Sequence, residues 1–229
     1  MVFGSTFDNA EKERHLPIGI GKTTGVSENT GVMIYHKLAQ VMFERDKKKP
    51  LSENIDVDDA YWGGRKAGKR GRGSKNKTPF LAAVEKSSDG RPLWIKLSVV
   101  EGFKKEEIKK WSQNHILEGS TVSSDVLPFF SGLREADFSH QSVVIGNSKN
   151  PEKTAQFRWI NIILCNLRTS LAGTCRKLSS EHLPWHLATF QYRFNRRFSL
   201  KDLVPRLTYI CLRTPPMPMA LLKIAESHW

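Results

Sequence analysis

Cysteine is nearly absent from this chain: its 229 residues hold three, Cys165, Cys175 and Cys211. An odd count with no closely spaced pair excludes a disulfide framework and the short spacing of a zinc knuckle. With no secretory signal pattern either, the chain reads as reduced, intracellular and cytoplasmic, associating with the nucleoid when bound to DNA. Long apolar runs are also missing. None approaches the roughly 20 residues that cross a bilayer. The segment LVPRLTYICLRTPPMPM is interrupted by Arg206, Arg213 and four prolines, so no membrane partner is expected. Acidic residues are few, 23 against 36 Lys and Arg, which leaves a net charge of +13. No internal repeat is visible, which excludes solenoids and propellers.

What is present fits a globular protein with a polyanionic partner. Hydrophobic residues make up 39% and charged residues 26%, a balance that supports a packed core. The positive charge is localised. Residues 1–55 carry eight Lys or Arg against seven acids, whereas residues 149–213 carry twelve against three. A second excess lies in IDVDDAYWGGRKAGKRGRGSKNKTP, residues 55–79. There Arg65, Lys66, Lys69, Arg70, Arg72, Lys75 and Lys77 follow three acids without another acid among them. Localised excess points to a binding surface, most often for nucleic acid.

Periodicity predicts a mixed α/β layout. Residues 1–24, with Pro17 among Gly19 and Gly21, read as weakly structured. Ser27 is a plausible N-cap. Behind it Val32, Tyr35, Leu38, Ala39, Met42 and Phe43 fall at helical spacing, and the helix should stop in Asp46–Lys49 before Pro50. The turn GVSENT before this helix is similar to the turn of a helix-turn-helix; a packed amphipathic helix is the other reading. From residue 54 the pattern becomes short strands. Ile55 and Val57 alternate with Asp56 and Asp58, and FLAAVE (80–85) joins PLWIKLSVV (92–100) through an Asp-Gly hairpin turn. Lys104–Ile116 reads as a helix, STVSSD (120–125) and SVVIG (142–146) as strands, and 154–172 as a long helix with an Ile160, Ile163, Leu164, Leu167, Leu171 stripe. A last helix covers 181–194 and runs into RFNRRFSL. The tail TPPMPM is not regular.

The candidate chemistry rests on carboxylates. Asp58 and Asp125 each close a predicted strand, and two strand-end carboxylates in one sheet can converge on Mg²⁺, which takes hard oxygen ligands. Two such ions activate a nucleophile and stabilise a leaving oxygen in phosphoryl transfer. Two acids alone do not separate this from ordinary loop-start residues. On the long helix Asn161 and Arg168 lie two turns apart on one polar face; Asn161 offers a carbonyl oxygen to metal or water, and Arg168 can grip a phosphate. Alternation puts Asp56 on the Asp58 face and Asp59 on the other. His140 is placed to hydrogen-bond near the site or to serve structure. Trp94, Trp111, Trp159 and Trp185 read as core fillers. Arg193, Arg196 and Arg197 read either as DNA-backbone contacts or as a solvated helix end.

Taken in order, IDVDDAYWGGRKAGKRGRGSKNKTPFLAAVE, TVSSDVLPFF, FRWINIILCNLRTSLAGT and FQYRFNRRFSL resemble the bacterial insertion-sequence transposases of the DDE type. The likeness is greatest to the subgroup with Asn at the third catalytic position, and it covers residues 25–210. The resemblance implies a ribonuclease-H-like mixed sheet flanked by helices. Asp58, Asp125 and Asn161 would be catalytic residues and ligands of Mg²⁺, with Mn²⁺ able to substitute, and Arg168 would stand where the family has Lys. It implies cleavage at transposon ends, transfer of the 3′-OH into target DNA, and work as a homo-oligomer that joins two ends. The basic residues of 65–77 and the arginines of 193–197 would contact DNA.

The organisation that follows is an N-terminal segment, 1–50, with a partial helix-turn-helix; a catalytic domain, 51–213; and a tail, 214–229. Some positions depart from the family. No zinc ribbon precedes the helix, Cys175-Arg176 replaces Tyr-His, and Thr189 replaces a Glu. These departures keep open two other readings: a shortened, catalytically defective DNA-binding remnant, and a nuclease or resolvase on the same core.

Overall fold

The computed structural model describes residues 22–63, 77–136, 138–143, 156–174, 178 and 180–218. Residues 22–24, expected to be weakly structured, are helical, and Gly25 turns the chain with φ of 74° before the next helix. Helix α1 (Glu28–Lys47) starts as predicted: the Ser27 hydroxyl accepts from the Thr30 amide, and Lys47 and Arg45 lie in the last turn. Strands β1 (Asn54–Trp62), β2 (Thr78–Lys86) and β3 (Pro92–Val99) form an antiparallel meander. Gly90, at φ 76°, makes the turn that Asp-Gly announced. Helix α2 (Lys105–His115) then carries the chain across the sheet to β4 (Thr121–Asp125), which lies parallel to β1. A 3₁₀ turn (Pro128–Phe130) and the short α3 (Ser131–Arg134) lead to β5 (Ser139–Val143), parallel to β4. Helices α4 (Arg158–Thr174) and α5 (Leu183–Phe194), a 3₁₀ segment (Arg197–Asp202) and α6 (Leu203–Arg213) complete the described chain.

The five strands form one sheet in the order β3-β2-β1-β4-β5. An antiparallel meander extended by two parallel strands, with helices on both faces, is the ribonuclease-H-like arrangement that the resemblance implied. Alternation divides the core in two. Ile55, Val57, Leu81, Ala83 and Val122 face α2, where Ile108 and Trp111 cover them. Ala60, Phe80, Ala82, Val84, Ile95 and Leu97 face α4 and α5, under Ile160, Ile163, Leu167 and Leu187. Strand β2 is central and covered on both sides, which explains its unbroken apolar run. Of the four tryptophans read as fillers, Trp111 and Trp185 are buried, and Trp94 and Trp159 are half-buried against the two clusters.

Three elements differ from the sequence reading. Strand β5 starts at Ser139, three residues before the expected SVVIG strand, of which residues 144–146 lie outside the described residues. Helix α6 was not foreseen: Pro205 marks a break by pattern, but it falls in the first helical turn, where a missing N–H costs nothing. Strand β1 does not end at Asp58 but runs to Trp62, because Asp58 to Trp62 go on pairing with Ala82 to Thr78 after the partnership with β4 stops at Val57.

A buried polar knot joins α1, β3 and α5. Strand β3 is a sheet edge, so its outward amides need partners. The Gln191 carboxamide accepts from the Leu97 N–H at 2.8 Å. Asn195 accepts from the Ile95 N–H at 2.9 Å and donates to the Ile95 carbonyl at 3.2 Å. Asn195 also donates to Asp46 Oδ2 at 3.0 Å, and the Arg196 guanidinium pairs with Asp46 Oδ1 at 2.7 Å while lying on the Tyr192 ring. Lys96 caps α1 by donating to the Asp46 carbonyl, and burial pulls its ammonium down to about 8 against the pull of Asp46.

Candidate functional site

Sheet geometry sets Asp58 beside Asp125. The parallel ladder pairs Asn54 with Thr121 and Val57 with Ser124; one step further along the same register, Asp58 comes opposite Asp125. Both side chains point to the α4 face, because Val57 and Val122 point to the other. Neighbouring strands lie about 4.8 Å apart, so the continued register sets the backbones of the two residues about one strand spacing apart. Asp125 closes β4, and Asp58 lies just past the point where β1 stops pairing with β4. Both are half-buried. Each anchors one oxygen on the next amide, Asp58 Oδ1 accepting from the Asp59 N–H at 2.9 Å and Asp125 Oδ1 from the Val126 N–H at 2.7 Å.

Asp56, two residues earlier on the same face, has a different fate. It is fully buried and ion-paired to Lys86 at 2.7 Å. Burial pushes its carboxyl up and Lys86 opposes that shift. It stabilises the sheet beneath the site rather than facing solvent. Asp59 points to the α2 face, as alternation predicts.

Behind Asp125 runs a hydrogen-bonded chain that includes His140. Arg134 Nε donates to His140 Nδ1 at 3.3 Å, which leaves Nε2 to donate to the Ser124 hydroxyl at 2.8 Å; that hydroxyl donates to the Asp125 carbonyl at 3.1 Å. Burial, and secondarily Arg134, lowers the His140 pKa, so the ring stays neutral and keeps this direction. An aromatic row fixes the segment after Asp125 to β1: Tyr61 meets Phe103 edge-on, and Phe103 stacks on Phe129, each at 5.1 Å. Sequence spacing does not reveal this row, since its members come from three separate elements.

Helix α4 covers the Asp58 face. Phe157 and Ile160 join Ala60 in one cluster, and Asn161 is the next residue, exposed on the helix. Arg168 is also exposed. Among the described residues no three His, Cys, Asp or Glu gather to hold a metal; Asp58 and Asp125 offer carboxylate oxygens, and Asn161 would add an amide oxygen. That hard, all-oxygen set fits Mg²⁺ or Mn²⁺ rather than a soft metal.

A family model described as an ISXO2-like transposase domain matches residues 50–195. The chain belongs to that family. It is therefore a transposase of the DDE type. The transposase resembles solved structures of Mos1. It matches the Mos1 strand transfer complex at TM-score 0.37 and 12% identity over 93% of this chain and 79% of that one. It matches the Mos1 mariner paired end complex with Mn at TM-score 0.35 and 11% identity over 93% and 80%. No curated protein matches it by sequence.

The transposase's basic surface is only partly described. Arg65, Lys66, Lys69, Arg70, Arg72 and Lys75 lie outside the described residues, as do Cys175 and Arg176. The residues that flank the basic run, Trp62 and Thr78, pair with each other at the end of β1 that lies beyond Asp58. Lys77 is exposed, with its ammonium 6.0 Å from the Tyr61 ring. Arg193 is exposed too. Arg196 and Arg197, read as DNA contacts, have structural employment: Arg196 with Asp46, and Arg197 donating to the Pro92, Leu93 and Phe194 carbonyls. Their donors close the β3 edge and the end of α5, which leaves little of either for a phosphate. Of the described cysteines, Cys165 and Cys211 are free thiols. Among the described residues no helix is long and apolar enough to cross a membrane.

Proposed function

We propose that this transposase cuts DNA at the ends of its element and transfers the freed 3′-OH into target DNA. The observation that supports the reading is the β1–β4 register, whose continuation past Val57 and Ser124 brings Asp58 level with Asp125 on the α4 side of the sheet. In this reading Asp58, Asp125 and the Asn161 carbonyl hold divalent cations, Mg²⁺ or Mn²⁺, as in the Asn subgroup of the family. Bound there, such a cation supplies Lewis acidity for phosphoryl transfer. The chain's own residues do the positioning. Asp58 and Asp125 repel each other without a cation, so the fixed pair favours binding one. Arg168 holds a phosphate oxygen with its forked donors, a geometry that Lys lacks. Arg193, Lys77 and the basic residues of 65–75 hold the backbone, and a second copy brings the other end. The reading assigns residues 1–50 to an N-terminal DNA-binding segment, 51–213 to the catalytic domain and 214–229 to a tail.

The test is Mg²⁺- or Mn²⁺-dependent nicking and joining on DNA bearing the element's terminal repeats. Asp58→Asn and Asp125→Asn should each lower both steps by about 10³-fold, equivalent to several kcal/mol of lost charge stabilisation, with thermal unfolding near wild type. Full activity in both variants overturns the assignment. Salt-sensitive DNA binding with no metal-dependent cutting by the wild-type chain would instead identify a defective DNA-binding remnant. Cutting without joining would identify a nuclease.

A further inference from the structure

We propose that the groove between α1, the 3₁₀ segment and α6 is a second DNA-backbone site, separate from the catalytic carboxylates. The inference rests on the DNA reading above and adds a surface to it. The groove encloses about 990 Å³, and its described lining includes Arg45, Lys48, Arg196, Arg206 and Arg213, with Glu44 as the acid. Arg196 is held by Asp46, but Arg45, Lys48, Arg206 and Arg213 are all exposed. Glu44 accepts from Gln40 at 2.7 Å, and among the described residues Arg206 has a loose partner in half-buried Asp202 at 3.6 Å. Four cations facing one carboxylate across two helices repel one another, and a polyanion relieves that repulsion.

A ring contact indicates how the anion is held. Arg213 lies over Tyr209 at 4.5 Å. A guanidinium flat on a ring keeps its N–H edge outward for phosphate oxygens. The groove therefore takes the backbone of duplex DNA without reading sequence. Position agrees. Trp94, on the groove wall, is level with Ile55 through Glu85, two strands across and three residues back from Asp58. That is roughly 14 Å along the sheet, about four base pairs of duplex. Trp94 packs on the α2 side of the sheet and Asp58 points to the α4 side, so the groove does not hold the reacting phosphate.

The experiment measures binding of the full chain to a fluorescein-labelled duplex of arbitrary sequence across a salt series. Arg45→Ala/Arg213→Ala should lower affinity about tenfold or more at low salt and make the log–log salt slope shallower by about 2, near 0.9 per lost phosphate contact. Arg45→Lys/Arg213→Lys should recover the slope, which a folding defect does not predict. Lys48→Ala/Arg206→Ala is the independent second pair. If the wild type binds but both alanine pairs keep its affinity and slope, the groove proposal is overturned and the catalytic reading stands. If the wild type binds no DNA at low salt, both fail.

Discussion

Replacing Asn195 by Ala is the most direct test of how the β3 edge is held. The side chain makes three hydrogen bonds: it accepts from the Ile95 N–H at 2.9 Å and donates to the Ile95 carbonyl at 3.2 Å and to Asp46 Oδ2 at 3.0 Å. Ile95 is fully buried, so alanine strands two backbone groups, at about 1–3 kcal/mol each. Asp46 loses a donor as well, although Arg196 still pairs with it at 2.7 Å. Asn195 itself is half-buried, so water can enter the space and soften the loss. The working figure is about 3 kcal/mol, or roughly 10 °C in melting temperature for a domain of this size. Urea unfolding followed by circular dichroism measures it. Gln191→Ala removes one bond to the same strand and should cost about 1–2 kcal/mol. The two should be non-additive, because both act on β3 and Asp46. A loss under about 1 kcal/mol for Asn195→Ala would show that the edge is held by other means.

The remaining expectations are independent of that one. The folded-state pKa of Lys96 is lowered from 10.5 to about 8, chiefly by burial; the unfolded chain therefore binds more protons between those values, and stability should rise with pH from about 8 to 10.5, by about 3 kcal/mol at most. Urea midpoints at the two ends of that window check it, and Lys96→Met should flatten the trend. A Cβ on Gly132 would collide with the Lys105 carbonyl at the start of α2. Gly132→Ala should cost about 1–3 kcal/mol by pushing α2 and α3 apart, and a melting temperature equal to wild type would refute that packing.

Much of the secondary structure was legible because it depends on neighbours in sequence. Ser27 could be read as a cap, and the Ile160–Leu171 stripe as one buried helix face, since a 3.6-residue period needs no knowledge of the partner. The alternation in β1 told which acids share a face. Its length was misjudged at Asp58, because strand ends are set by where pairing stops, and that depends on β2 and β4. Helix α6 was hidden by Pro205, which breaks a helix in its interior but not in its first turn. Arg196 and Arg197 could be read as DNA contacts or a solvated helix end because a charge count sees neither Asp46, 150 residues before Arg196 (196 − 46), nor the Pro92 and Leu93 carbonyls that Arg197 meets.

The sequence by itself determined the basic character of the protein, its α/β pattern and the motif order that places it among transposases. All three follow from local composition and period. Only the tertiary structure decided that Asp58 stands level with Asp125 while Asp56 is consumed by Lys86. It alone brought α6 against α1 to gather four exposed cations in one groove. The physical reason is that a strand register or a helix contact is a choice between distant segments, made by the packing of the whole core, and no single segment encodes it.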